Sequence, residues 1–106
     1  MNALDLIAID VHVHLENEEA NNAACQAARK YFGNSGVNRD RYALAEYYRS
    51  RKIGCVIFSV DERLTGRTPI PNDEVAAFAA ANSDIMLAFA SVDPTRGQAA
   101  VEEAKR

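Results

Sequence analysis

Three short apolar runs, at residues 6–15, 55–60 and 85–92, punctuate a chain whose remaining stretches carry apolar residues at helical spacing. The first run, Leu6–Leu15, reads Leu-Ile-Ala-Ile-Asp-Val-His-Val-His-Leu. Side chains on a strand alternate between its two faces. Strict alternation predicts Leu6, Ala8, Asp10, His12 and His14 on one face. It predicts Ile7, Ile9, Val11, Val13 and Leu15 on the other, a uniformly aliphatic face suited to a covering layer of helices.

Downstream, an alanine-rich segment from Ala20 to Phe32 follows Glu16, Glu18 and Glu19 and closes on Arg29-Lys30, a charge order that favours a helix. Gly33 is placed to stop it, and residues 33–38 read as a turn. The segment reads as a surface helix or as a lid over the end of the first strand. Asp40 can cap a second helix, Arg41–Lys52, with Leu44, Ala45, Tyr47 and Tyr48 at helical spacing. Tyr47 and Tyr48 are expected to pack rather than to act in a site. Cys55–Val60 reads as a second, buried strand. After the loop Leu64–Pro71, Asn72 is expected to cap the helix Asp73–Ala81, which presents Val75, Phe78 and Ala79 to a core. Ile85–Val92 reads as a third strand ended by Asp93-Pro94, with a last helix over Gln98–Arg106.

Strands alternating with helices imply parallel pairing through right-handed crossovers. The order β-α-α-β-α-β-α is that of the opening of a (β/α)₈ barrel, a fold that needs about 250 residues. The expected fold is therefore α/β, the N-terminal part of a TIM barrel with about three strand–helix units. Residues 1–106 are expected to be a single partial domain cut inside its last helix. On that expectation the third strand lacks a fourth and the first lacks an eighth. Inward residues such as Leu6, Ala8, Ile57 and Met86 or Leu87 would then lose the opposite barrel wall, leaving the isolated chain marginally stable and prone to associate.

Composition narrows the function classes. Twelve basic and fifteen acidic side chains give a net charge of −3, and no basic run supports nucleic-acid binding. No apolar stretch approaches the length of a membrane span, and the N-terminus lacks the basic region of a signal peptide. Cys25 and Cys55 fit neither a Cys-x-x-Cys motif nor a disulfide scaffold. Both read as reduced thiols in a cytoplasmic protein. Asp61, Glu62, Arg63 and Arg67 follow the second strand as loop charges, the arginines being able to meet an anionic substrate.

His12 and His14 are the two histidines of the sequence. Imidazoles at i and i+2 of a strand stand about 7 Å apart at the backbone and can converge on one cation. A partly exposed ladder, or core histidines bonded to Asp10, would use the same residues without a metal.

Asp10-Val11-His12-Val13-His14 resembles the strand-one His-x-His motif of the amidohydrolase superfamily. Phe89-Ala90-Ser91-Val92-Asp93-Pro94, preceded by Asn72-Asp73-Glu74, is similar to its amidohydrolase-2 branch, the group of aminocarboxymuconate-semialdehyde and γ-resorcylate decarboxylases. The resemblance implies a metal-dependent hydrolase or non-oxidative decarboxylase of small carboxylated or ring substrates, homo-oligomeric in its complete form. It implies His12 and His14 as metal ligands, with zinc or else manganese as the ion, and further ligands beyond residue 106. Asp10 is expected to hold one imidazole by its other nitrogen. The alternative is a stand-alone α/β binding or subunit-interaction module without catalysis.

Overall fold

The computed structural model describes residues 1–15, 41–60 and 69–106. The alanine-rich segment with Cys25, the turn at 33–38, Asp40, and the charges Asp61, Glu62, Arg63 and Arg67 lie outside the described residues. Within them, a 3₁₀ turn at Ala3–Asp5 leads into β1 (Ala8–His14), followed by α1 (Arg41–Ser50) and β2 (Ile53–Phe58). Then come α2 (Asn72–Ala81), β3 (Met86–Ala88), a 3₁₀ turn at Pro94–Arg96 and α3 (Gln98–Lys105). The protein is mixed α/β, with a three-stranded parallel sheet in the order β1-β2-β3.

Helices α1 and α2 cover one face of the sheet. Ala45 and Tyr48 from α1 and Val75 and Ala79 from α2 form one cluster with Val13, Cys55, Ile57 and Met86. Ile57, Val75 and Cys55 are completely enclosed, and each large aliphatic side chain so buried contributes about 1.5–3 kcal/mol. The other face is open: Ile7, Ile9 and Val11 on β1 are 77%, 48% and 69% exposed, with Leu87 and Phe89 about half exposed.

That division corrects two expectations. Ile57 and Met86, expected on the barrel-inward side, belong to the helix-covered core. Leu87 stands on the open side. The aliphatic row Ile7, Ile9, Val11, Val13, Leu15 is also divided, since only Val13 and Leu15 are buried. The cause is an irregularity in β1. Asp10 pairs with Cys55 and Val13 with Ile57, so three steps on β1 match two on β2. Val11 and His12 together oppose Val56: a β-bulge, which reverses the phase of everything after it.

Element ends differ from the sequence reading by at most two residues, except at the end of β3, which differs by four. Only Met86–Ala88 forms ladder, where Ile85–Val92 was expected. Ile85 instead closes the turn after α2, bonding Asn82 O, while its own carbonyl accepts Cys55 N at 2.7 Å. Beyond Phe89 the chain is held by a side chain: Asn72 Oδ1 accepts Ser91 N at 2.8 Å and its Nδ2 donates to Ser91 O at 2.9 Å. This use of Asn72 corrects its expected role as helix cap. Pro71 occupies the cap position, and no side-chain bond closes that end of α2. Asp93 does cap, its Oδ1 accepting Thr95 N at the second 3₁₀ turn.

At the opposite end of the sheet, Lys52 takes a left-handed conformation (φ 55°) between α1 and β2. Its carbonyl accepts Ile7 N at 2.8 Å, which starts the β1–β2 pairing. The Arg49 guanidinium clasps Asp84 with Nε at 2.8 Å and Nη2 at 3.1 Å, and also reaches Asn82 and Glu46. The clasp joins the end of α1 to the turn before β3.

Candidate metal centre

Past the bulge, β1 returns to regular pairing, with His14 opposite Phe58 and Leu15 N donating to Phe58 O at 2.9 Å. Val13 and Leu15 now point into the core, so His12 and His14 stand on the open face. Phe58 lies beneath both imidazoles, its ring edge-on to His12 at 5.3 Å and to His14 at 5.0 Å between centroids. The two imidazoles meet each other with Nε2 atoms 2.9 Å apart. At that distance one Nε2 can donate a hydrogen bond to the other, the direction being set by the tautomers of the two rings. The sequence placed both histidines together at the C-terminal end of the first strand, and the structure brings them together there.

Asp10 is placed differently. It was expected on the same face as the histidines, supporting an imidazole. The bulge puts it on the helix-covered side, opposite Cys55. Its Oδ1 accepts the backbone N–H of His12 at 3.0 Å and its Oδ2 accepts the Tyr48 hydroxyl at 2.8 Å. Those bonds, the backbone N–H foremost and the phenol next, hold the Asp10 carboxyl below the usual carboxylate range against a smaller opposing effect of burial. Burial, followed by the bond to Asp10, pushes the Tyr48 phenol above its ordinary value.

Two participants escaped the sequence reading. Tyr48 was assigned to packing alone; it packs, and it also fastens Asp10. Phe58 was taken only as part of a buried strand, and it is the floor of the histidine pair. The bulge itself had a local signal. An aspartate readily accepts the N–H two residues on, competing with ladder bonds, and Asp10 stands two residues before His12.

Two Zn–N bonds of about 2.0–2.1 Å at a tetrahedral angle set their nitrogens about 3.3–3.4 Å apart, so the imidazoles, at a hydrogen-bonding distance of 2.9 Å, would part by about 0.5 Å to share a divalent ion. Among the described residues no group of three or more His, Cys, Asp and Glu side chains converges as a ligand set. The pair is a two-imidazole platform.

A separate cleft of about 290 Å³ opens past the ends of β2 and β3, lined by Ser59, Asn72, Ser91, Arg96, Glu103 and Arg106 among others. Its charges are engaged with one another. Arg106 meets Asp73 at 2.6 Å and Glu103 at 2.9 Å, and Asn72 Nδ2 donates to Glu103 at 2.9 Å. Ser59 Oγ accepts Ile70 N at 2.8 Å. The cleft is the seam that fastens α3 to α2. No helix among the described residues is long and apolar enough to cross a membrane. Compared with protein-family models, curated proteins and solved structures, the chain matches none.

Proposed function

We propose that this chain forms the first three strand–helix units of a metal-dependent (β/α)₈ enzyme of the amidohydrolase type. The reaction is hydrolysis or non-oxidative decarboxylation of a small carboxylated or ring substrate. The observation that carries the reading is the His12–His14 pair, its Nε2 atoms 2.9 Å apart on the open face at the C-terminal end of β1. Active sites of α/β barrels gather at that end of the strands. A parallel sheet in sequential order, with α1 and α2 on one face and apolar side chains on the other, is the arrangement of a barrel wall.

His12 and His14 would hold a divalent ion, zinc or manganese, by their Nε2 atoms. Such an ion activates water or polarises a carbonyl or carboxylate oxygen when bound. The chain's own residues do the rest of the local work. Phe58 supports both rings from below, and the bulge turns them out of the core. The exposed Ile9, Val11 and Leu87 make an apolar surround that would lower the local dielectric once covered.

The experiment is a zinc or manganese titration of the 106-residue chain, zinc binding being followed through imidazole ¹⁵N resonances. Two imidazoles alone bind weakly, so the reading expects both Nε2 signals to move together at millimolar zinc, with one ion per chain, and His12→Ala to abolish the response of His14. Independent or absent responses would overturn it. A stand-alone interaction module is the competing reading, favoured by the exposure of Leu87 and Phe89. It expects association through that face and no metal response.

A further inference from the structure

The histidines reach the open face because β1 carries one more residue than β2 between Asp10 and Val13. We infer that Asp10 is the positioning residue of the histidine pair, and that it acts through the main chain rather than on an imidazole. Its zinc arm rests on the metal reading above; its structural arm stands apart from it.

With regular alternation after Asp10, His12 and His14 would follow it to the helix-covered side, and Val13 and Leu15 would face outward. The core would exchange two aliphatic side chains, now 7% and 3% exposed, for two imidazoles. Core packing therefore demands the extra residue. The demand has a local cost, because a bulge takes a backbone group out of the ladder. Asp10 Oδ1 meets that cost by accepting His12 N at 3.0 Å. The carboxylate cannot swing away freely, since Tyr48 holds Oδ2 at 2.8 Å and is itself packed in the core. The resulting chain of contacts runs from α1 through Tyr48 and Asp10 to the His12 main chain. Helix docking and imidazole placement are thereby coupled.

An imidazole-orienting aspartate and a bulge-holding aspartate differ in what they require. The first needs its negative charge near a ring nitrogen. The second needs only an acceptor oxygen at the right place, which asparagine also has. The test compares the parent chain with Asp10→Asn, Asp10→Ala and Tyr48→Phe. It reads amide hydrogen exchange at His12, the nuclear Overhauser effect between the His12 and His14 rings, and zinc affinity.

Asp10→Asn is expected to keep all three close to the parent. Asp10→Ala is expected to speed His12 exchange about tenfold, weaken the ring–ring effect and lower zinc affinity about tenfold, the lower end of what loss of a positioning partner costs. Tyr48→Phe should give an intermediate rise in exchange. It decides the matter if the alanine variant fails to fold, because an unchanged His12 amide there would overturn the inference. So would an Asp10→Asn chain that keeps amide protection yet loses as much zinc affinity as Asp10→Ala, since the charge would then be acting on a ring. If no form binds zinc, the metal reading fails, while exchange and the ring–ring effect still decide the role of Asp10.

Discussion

The Tyr48 hydroxyl donates to Asp10 Oδ2 at 2.8 Å, joining α1 to the strand that carries the histidine pair. A hydrogen bond to a charged acceptor contributes about 1.5–3 kcal/mol when one partner is buried. Tyr48 is 9% exposed, whereas Asp10 keeps access to water that can replace the phenol. Tyr48→Phe is therefore expected to destabilise the chain by about 1–2 kcal/mol, measured by urea unfolding. A change below a few tenths would show that the bond is incidental to packing.

The enclosed cluster around Ile57 and Val75 predicts a much larger effect. Ile57→Ala removes a side chain with no exposure at the centre of the sheet and is expected to cost about 2–5 kcal/mol. Ile9→Ala, on the open face of the same sheet, should cost well under half as much. Equal losses at the two positions would mean that both faces are covered in solution.

Two backbone positions should respond in opposite directions to substitution. Lys52, at φ 55°, occupies a conformation that glycine adopts without strain. Lys52→Gly is accordingly expected to be neutral or stabilising by up to about 1 kcal/mol. Gly97, at φ 59° and ψ −122°, opens α3 in a region closed to other residues. Gly97→Ala should cost about 1–3 kcal/mol, although nothing lies within 4 Å of the added carbon. Thermal melts of the two variants check both signs.

Acid sensitivity should trace in part to the seam between α2 and α3. Bonds first from Arg106 and then from Asn72 pull the Glu103 carboxyl down to about 2 in the folded chain. A carboxyl depressed on folding favours the folded state above its unfolded pKa, and that contribution is lost as pH falls towards the folded value. The loss should run from about pH 4.5 down to about 2. Glu103→Gln is expected to flatten the pH dependence of stability in that window and leave it unchanged near neutrality.

Burial pushes the Cys55 thiol up to about 11, and the side chain has no exposed surface. In a Cys25→Ser background it should resist a disulfide reagent at pH 8 and react on unfolding. Rapid labelling of the folded chain would indicate that α1 lifts from the sheet.

The open face should govern association. Leu87 and Phe89 are about half exposed beside exposed Ile9 and Val11, and unpaired apolar sheet surface favours contact between molecules. Leu87→Glu is expected to shift sedimentation towards the monomer, with a stability change within about 0.5 kcal/mol. Unaltered sedimentation would leave the strand edges as the contact.

Among the described residues, the order of elements, the parallel sheet and the pairing of His12 with His14 could be read along the chain, because each follows from local spacing. Apolar runs of strand length alternated with helical spacing, and residues two apart on a strand share a face wherever the ladder is regular. The two buried helix positions Val75 and Ala79 came from the same rule. What spacing could not carry was the phase of β1. Whether Asp10 shares a face with the histidines depends on whether one residue is extruded from the ladder. That depends in turn on which side of the strand meets Ala45, Tyr48 and Ile57. Only packing between distant segments settles it: burying Val13 and Leu15 against α1 and β2 outweighs one ladder bond, which Asp10 replaces. Asn72 shows the same limit at the other rim. Its sequence position suits a helix cap, yet a strand end 19 residues away offers both a donor and an acceptor, and two bonds to Ser91 replace the one a cap would make.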